Sequence, residues 1–244
     1  MLSALQAPLF FGLIAAFATV LGLLAVALRG DWSEKYSGLF ALAAGGMLLT
    51  LTLLHIAPEA IERSSVAPQL ILAGFLGGLM INYLVRIFFP DRGAEMGRAG
   101  AITPLVAIAI HSFLDGAIYA VTFSASFEAG VYASSSLILH ELPEGIMAFA
   151  ILRRYGFTNR SSFIWGFLAA GLTTPLGVLL SEPFVYGLGD QWVGGLFAVS
   201  AGLLLYVATG PLMEPMRDEP KTLSLAALGS GVAIAVAMVM LPLH

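Results

Sequence analysis

Residues 111–145 read HSFLDGAIYAVTFSASFEAGVYASSSLILHELPEG. They carry two short polar knots, His111-Ser112-Phe113-Leu114-Asp115-Gly116 and His140-Glu141-Leu142-Pro143-Glu144-Gly145, each in the middle of a long apolar run. An ionisable side chain at the centre of a bilayer costs roughly 2.5–3.5 kcal/mol on insertion scales. Five such groups, His111, Asp115, His140, Glu141 and Glu144, are confined to two neighbouring runs. A chain carries that cost where the groups hold something charged between helices, and a divalent metal ion is the first candidate.

The rest of the chain supports a membrane setting. Hydrophobic residues make up 59% and charged residues 11%, against about 25% charged in an average globular protein, and the mean hydropathy is +0.92. Spanning hydrocarbon takes about 20 apolar residues. Eight runs qualify: 6–28, 38–60, 67–89, 100–122, 130–152, 161–183, 191–210 and 222–243. Little lies between them, so an all-α integral membrane protein is expected, with one transmembrane domain over 1–244. The net charge of −4 is small and scattered, which excludes a polyanionic tail and gives no reason for a nucleic-acid partner. With no cysteine, a metal site must use imidazole, carboxylate, hydroxyl, thioether or backbone oxygen.

The basic residues orient the chain. Arg29 and Lys35 lie between runs 1 and 2, and Arg86, Arg92 and Arg98 around the 3–4 connection. Arg153, Arg154 and Arg160 lie between 5 and 6, and Arg217 and Lys221 between 7 and 8. Of the eleven, Arg63 alone falls on the opposite side. By the positive-inside rule those four connections are cytoplasmic and both the N and C termini are outside. Ala25-Val26-Ala27 mimics a signal-peptide cleavage site. No basic residue precedes the apolar run and Arg29 follows it, so run 1 reads as a retained helix.

On a helix, positions i and i+4 are about 40° apart around the axis and about 6 Å apart along it. His111 and Asp115 thus share a face with Ser112 on its flank, His140 and Glu144 share another, and Glu141 points about 100° away. If runs 4 and 5 are antiparallel neighbours, the faces can meet near mid-membrane. Imidazole with carboxylate suits zinc, iron(II), manganese, cobalt or nickel, with cadmium as a mimic. Magnesium or calcium would favour oxygen ligands alone. The competing possibility is a self-neutralising His–carboxylate pair. Pro58, Pro104, Pro143 and Pro175 mark places where helices can bend. The small residues of Ala73-Gly74-Phe75-Leu76-Gly77-Gly78 suit close helix packing, within one protomer rather than at a dimer seam.

The two knots resemble the motifs of the ZIP (Zrt/Irt-like protein) family of divalent metal transporters. His111, Asp115 and Gly116 match H-x-x-x-[DE]-G in span 4, and His140, Pro143, Glu144 and Gly145 match H-x-x-P-E-G in span 5. Ala43-Ala44-Gly45-Gly46-Met47-Leu48 in span 2 is also similar, and in the family that methionine sits beside the metal. The resemblance implies a 3+2+3 bundle in which spans 1–3 and 6–8 are inverted repeats flanking the 4–5 pair. It implies His111, His140 and Glu144 as principal ligands, with Asp115, Ser112, Glu141 and Met47 secondary. It further implies no enzymatic activity and no resident cofactor. The substrates would be divalent ions, zinc first and iron, manganese or cadmium also, carried into the cytoplasm. The protein would lie as a multi-pass protein in the cell membrane (the inner membrane in a bacterium), often as a homodimer. Two departures bear on the site. Many members have asparagine where this chain has Ser112, and many prokaryotic members have a span-6 glutamate where it has Thr174. One tight metal site with a weak second one around Glu141 is therefore expected. The family's long His-rich loop between spans 3 and 4 is absent.

His55 and Glu59 repeat the H-x-x-P-E spacing at the outer end of span 2, near Glu62 and Glu182. They read either as an entrance relay for cations or as an interfacial pair whose charges reach headgroup water. Thr173 and Thr174 either line the path or bond their own helix. Trp32, Trp165 and Trp192 lie near span ends, as interfacial tryptophans do. Two other functions compete. His140 to Glu144 is one residue short of H-E-x-x-H, the zinc motif of metalloproteases, but Glu144 stands at the second histidine and Pro143 spoils the ligand turn. The other is a proton-coupled antiporter for a different solute, with the His–carboxylate pairs as a relay.

Overall fold

A computed structural model describes residues 6–28, 35–88, 100–184 and 188–240. Arg29, Trp32, Arg92 and Arg98 lie outside the described residues. The helices are α1 Gln6–Ala27, α2 Ser37–Arg63, α3 Ala67–Phe88, α4 Ile102–Ala125, α5 Phe127–Arg154, α6 Asn159–Phe184, α7 Asp190–Thr209 and α8 Lys221–Met240. Seven are long and apolar enough to cross a membrane, and bent α5 makes an eighth candidate. Their bounds fall within a few residues of the hydropathy runs. One difference is at α5, which starts at Phe127 rather than 130 because Ser126 is extended and its hydroxyl accepts from the Ala129 N–H at 3.0 Å. That cap satisfies an otherwise orphaned donor. It leaves Ser126 as the whole connection between α4 and α5, so the two are antiparallel neighbours.

Three of the four prolines act on their helices. A proline cannot donate to the carbonyl four residues earlier, and π-turns absorb such a gap. Thr52–Ile56 widens to a π-turn just before Pro58, and Phe167–Gly171 does so just before Pro175. Pro143 lies in α5, whose two halves, Phe127–Ser135 and His140–Arg154, are bent by 43°. Pro104 does not bend α4. It sits in the first turn, where backbone N–H groups have no intrahelical acceptor to lose.

The helices sort into two packing groups. α1 lies on α5 and α6, and α4 also lies on α5 and α6. Separately, α3 packs along α7 and α2 along α8, with the far end of α2 against α7. The groups meet where α4 touches α7 and α2 touches α5. The first three helices therefore do not form a block of their own: α1 belongs with α4–α6, and α2 and α3 with α7 and α8.

Reciprocal glycines allow these approaches. A Cβ on Gly145 of α5 would sit 2.2 Å from the Thr19 carbonyl oxygen of α1, and one on Gly22 would sit 2.1 Å from that of Leu142. Gly116 of α4 and Gly177 of α6 meet in the same way, at 2.0 Å from Thr174 O and 2.1 Å from Phe113 O. Gly46 with Gly231 does this for α2 and α8, and Gly74 with Gly202 for α3 and α7. Small residues let transmembrane backbones come this close. The glycines that end both polar motifs are thus packing residues. Gly74 and Gly78 pack on α7, whereas a Cβ on Gly77 would meet nothing within 4 Å. The outer side of α3 presents exposed Leu72, Leu76, Met80, Tyr83 and Ile87, and Trp165 and Trp192 are also exposed.

At the end of the bundle beyond α5, side chains tie one group to the other. The Tyr155 hydroxyl donates to Glu214 at 2.9 Å, and Arg154 pairs with Asp218 at 3.3 Å. Burial, then the neighbouring Glu214 carboxylate, push the Tyr155 phenol above its usual range, so it remains a donor across physiological pH. Tyr155→Phe removes that bond. It should lower stability by about 0.5–1.5 kcal/mol, read as a small drop in Tm of the protein in detergent.

Candidate metal site

The i, i+4 spacing in α4 and the turn before Pro143 in α5 bring the two polar knots face to face. His111, Ser112, Asp115, His140, Glu141 and Glu144 are all buried, none more than 6% exposed. The imidazole centroids of His111 and His140 are 5.5 Å apart, with the ring planes inclined by 31°. His111 Nε2 lies 3.6 Å from Asp115 Oδ2 and 3.7 Å from Glu144 Oε2. His140 Nε2 is 2.8 Å from the same Asp115 oxygen. Ser112 Oγ donates to Glu144 Oε1 at 2.5 Å.

His111, His140 and Glu144 each present a ligand atom within 4.8 Å of the others, a spacing a single metal ion can bridge with small side-chain movements. One nitrogen of each ring is already held, Nδ1 of His111 by the Ser200 hydroxyl and Nε2 of His140 by Asp115. For His111 that leaves Nε2, which faces Asp115 and Glu144, as the nitrogen a metal would take. Imidazoles that bind metal are usually oriented in this way through their second nitrogen. Met47 of α2 lines the same cavity as His111, His140 and Glu144, with Leu51, Ile56 and Pro143 around it. The cavity is small, about 10 Å³.

Two carboxylate oxygens in the cluster, Asp115 Oδ1 and Glu144 Oε2, are buried without a hydrogen-bond partner among the described residues. Buried polar atoms are nearly always satisfied, and an anionic one left bare is costly. A cation beside His111 Nε2 would compensate Glu144 Oε2, which lies 3.7 Å from that nitrogen.

Glu141 is placed differently. It points off the ligand face, as its 100° offset requires, and accepts from Thr19 Oγ1 of α1 at 2.6 Å and from Thr174 Oγ1 of α6 at 3.4 Å. Thr174 therefore meets the metal-site helix through Glu141, while Thr173 bonds its own helix at Ala169 O. His55 is partly buried in the π-turn of α2. Glu59 pairs with Arg63 at 2.5 Å, and Arg63 reaches Asp190 at 3.1 Å. Glu62 is exposed and Glu182 partly buried in the closing turn of α6, both outside the cluster.

Thr19 and Ser200 touch the cluster but carry no motif. One signal was available for each. Thr19 is the single polar side chain between Gln6 and Arg29, and Ser200 is the single serine or threonine between Asp190 and Thr209.

Comparison with known proteins places the chain in a family. Residues 92–239 match the family described as ZIP Zinc transporter. Mouse zinc transporter ZIP4 is 32% identical over 114 residues, covering 46% of this chain and 17% of that protein. Human zinc transporter ZIP10 is 32% identical over 107 residues, covering 44% of this chain and 13% of its own length. Zinc transporter ZIP13 of Pongo abelii is 27% identical over 208 residues, 78% of this chain and 61% of that one. The chain thus spans less than a fifth of the ZIP4 and ZIP10 sequences it matches.

Proposed function

The chain belongs to the ZIP Zinc transporter family, and from that premise we propose that it carries divalent transition-metal ions, zinc foremost, across a membrane into the cytoplasm. The observation that supports this most is the buried cluster of two imidazoles with Asp115 and Glu144, each of whose carboxylates keeps one oxygen without a hydrogen-bond partner among the described residues. His111, His140 and Glu144 are the principal ligands. Asp115 holds His140 and adds charge, and Met47 offers a thioether from α2, a soft donor suited to late transition metals. Glu141 would hold at most a weak second ion, because hydroxyls of Thr19 and Thr174 already face its oxygens.

All eight helices span the bilayer and both termini are outside, as inverted repeats flanking the α4–α5 pair. Arg153, Arg154, Arg160, Arg217 and Lys221 then lie at the cytoplasmic end with the Tyr155–Glu214 tie, and Arg63 at the outer end. An incoming cation passes His55 and Glu59, where it competes with Arg63 for the carboxylate. Below that mouth it meets the cluster, whose ligands must be deprotonated before they bind. A rearrangement of the two helix groups then opens the site inward. A cell-membrane location and a homodimer fit the family without bearing on this site. The protease alternative loses its ground: the relatives are named as transporters, and Glu144 stands where a second histidine would be needed.

The test is zinc flux into proteoliposomes loaded with a zinc-sensitive dye, together with metal analysis of the purified chain. Flux with one tightly held ion per chain is the expected outcome. pH-dependent flux of another solute with no bound transition metal would favour the antiporter and overturn the proposal.

A further inference from the structure

Ser200 is the hydroxyl on α7 that reaches the ligand set across the boundary between the two helix groups. Its Oγ is hydrogen-bonded to His111 Nδ1, and it is completely buried. The other side-chain partners described for the cluster, Ser112, Thr19 and Thr174, belong to α4, α1 and α6, within the group that carries the ligands. We propose that Ser200 is a positioning residue for metal binding, one that aims Nε2 of His111 at the ion while the two groups are docked. The inference rests on the metal-site reading above.

The chemistry of the partner supports this role. When a metal takes Nε2, the remaining proton of a neutral imidazole sits on Nδ1 and needs an acceptor. When the metal is gone and Nε2 carries the proton toward Asp115 and Glu144, Nδ1 becomes an acceptor and needs a donor. A carboxylate serves the first tautomer alone, since it only accepts. A hydroxyl serves both by turning its hydrogen. His140 has a carboxylate partner in Asp115 and His111 has a hydroxyl partner in Ser200, so His111 is the imidazole that can load and release an ion without losing its anchor. Because Ser200 stands on α7, separation of the groups withdraws the anchor, together with Met47 of α2, and leaves His111, Asp115, His140 and Glu144 on one group. That makes the grip of His111 dependent on the docked state.

The experiment compares Ser200→Ala, His111→Ala and the double variant of the full chain, by zinc titration against a competing chelator dye and by uptake kinetics in proteoliposomes. Ser200→Ala should weaken zinc binding about 10–100-fold, the range for lost partners of metal-bound histidines. It should raise KM while leaving the maximal rate and the folded yield near wild type. In the His111→Ala background the same change should add nothing, because its effect runs through that ring. Wild-type affinity in Ser200→Ala beside impaired His111→Ala would overturn the inference and leave the site standing. So would a loss of equal size in both backgrounds, which marks a packing defect. Wild-type affinity in His111→Ala would overturn the site assignment and this inference together.

Discussion

Proteoliposomes carrying His140→Ala or Glu144→Ala should accumulate no zinc above empty vesicles, while the purified variants keep wild-type helical content. Each change deletes a donor from a set of three whose ligand atoms lie within 4.8 Å of one another. Second-nitrogen partners alone are worth about 10–100-fold in metal affinity, so loss of a ligand is expected to exceed that range. Glu144 also brings charge. Its Oε2 lacks a partner among the described residues while Oε1 accepts from Ser112 at 2.5 Å. Glu144→Gln keeps the volume and the Ser112 contact and removes the charge, and it should fail in uptake as completely as the alanine variant.

Stability should move the other way. A buried carboxylate with a bare oxygen is a cost to the fold, and its neutral isostere is often neutral or stabilising. Without metal, Glu144→Gln should therefore melt at or above the wild-type temperature. Added zinc should raise the wild-type Tm and leave that of the variant unchanged, since a ligand that binds the folded state stabilises it by mass action. Retained uptake in either alanine variant, or a zinc-induced Tm rise in Glu144→Gln equal to wild type, would refute the ligand assignment.

What could be read from the residues and what could not divides along physical lines. Hydropathy located the long helices of the described residues because water and hydrocarbon act on each segment independently of its neighbours, and the i, i+4 pairs located both halves of the buried cluster because they are properties of single helices. Which carboxylate serves which ring is a property of two helices and depends on how α4 and α5 are inclined. Asp115 shares a face with His111 in the sequence, yet its shorter contact, 2.8 Å, is to His140. The interleaving of α1 with α4–α6 was equally hidden, because a glycine announces a close approach without naming the partner. Ser200 and Thr19 escaped for a related reason: a lone hydroxyl in an apolar run is usually bonded to its own helix, as Thr173 is. The Glu59–Arg63 pair is the opposite case. It is an i, i+4 contact within one helix, legible from spacing alone, and it engages the carboxylate that an entrance relay would use.

Gly145→Ala should be a strongly damaging single-carbon addition that also reaches the metal cluster, and Gly77→Ala the control that shows why. In an ordinary helix this substitution stabilises by about 1 kcal/mol. At Gly77 the new methyl meets nothing within 4 Å, so that gain should appear as an unchanged or slightly raised Tm. At Gly145 the methyl would sit 2.2 Å from the Thr19 carbonyl oxygen and 3.1 Å from the Leu23 nitrogen. Those are backbone atoms with no rotamer to relieve the clash, so α1 and α5 must separate. Overpacking typically costs 1–3 kcal/mol and occasionally more. Here it also pulls Thr19 away from Glu141, which accepts from it at 2.6 Å, and shifts the turn holding Glu144. Thermal unfolding in detergent should show a clear loss for Gly145→Ala, accompanied by weakened zinc binding. Equal melting temperatures for the two variants would mean that α1 does not lie against the metal-site helix, and the packing group built around α5 would have to be redrawn.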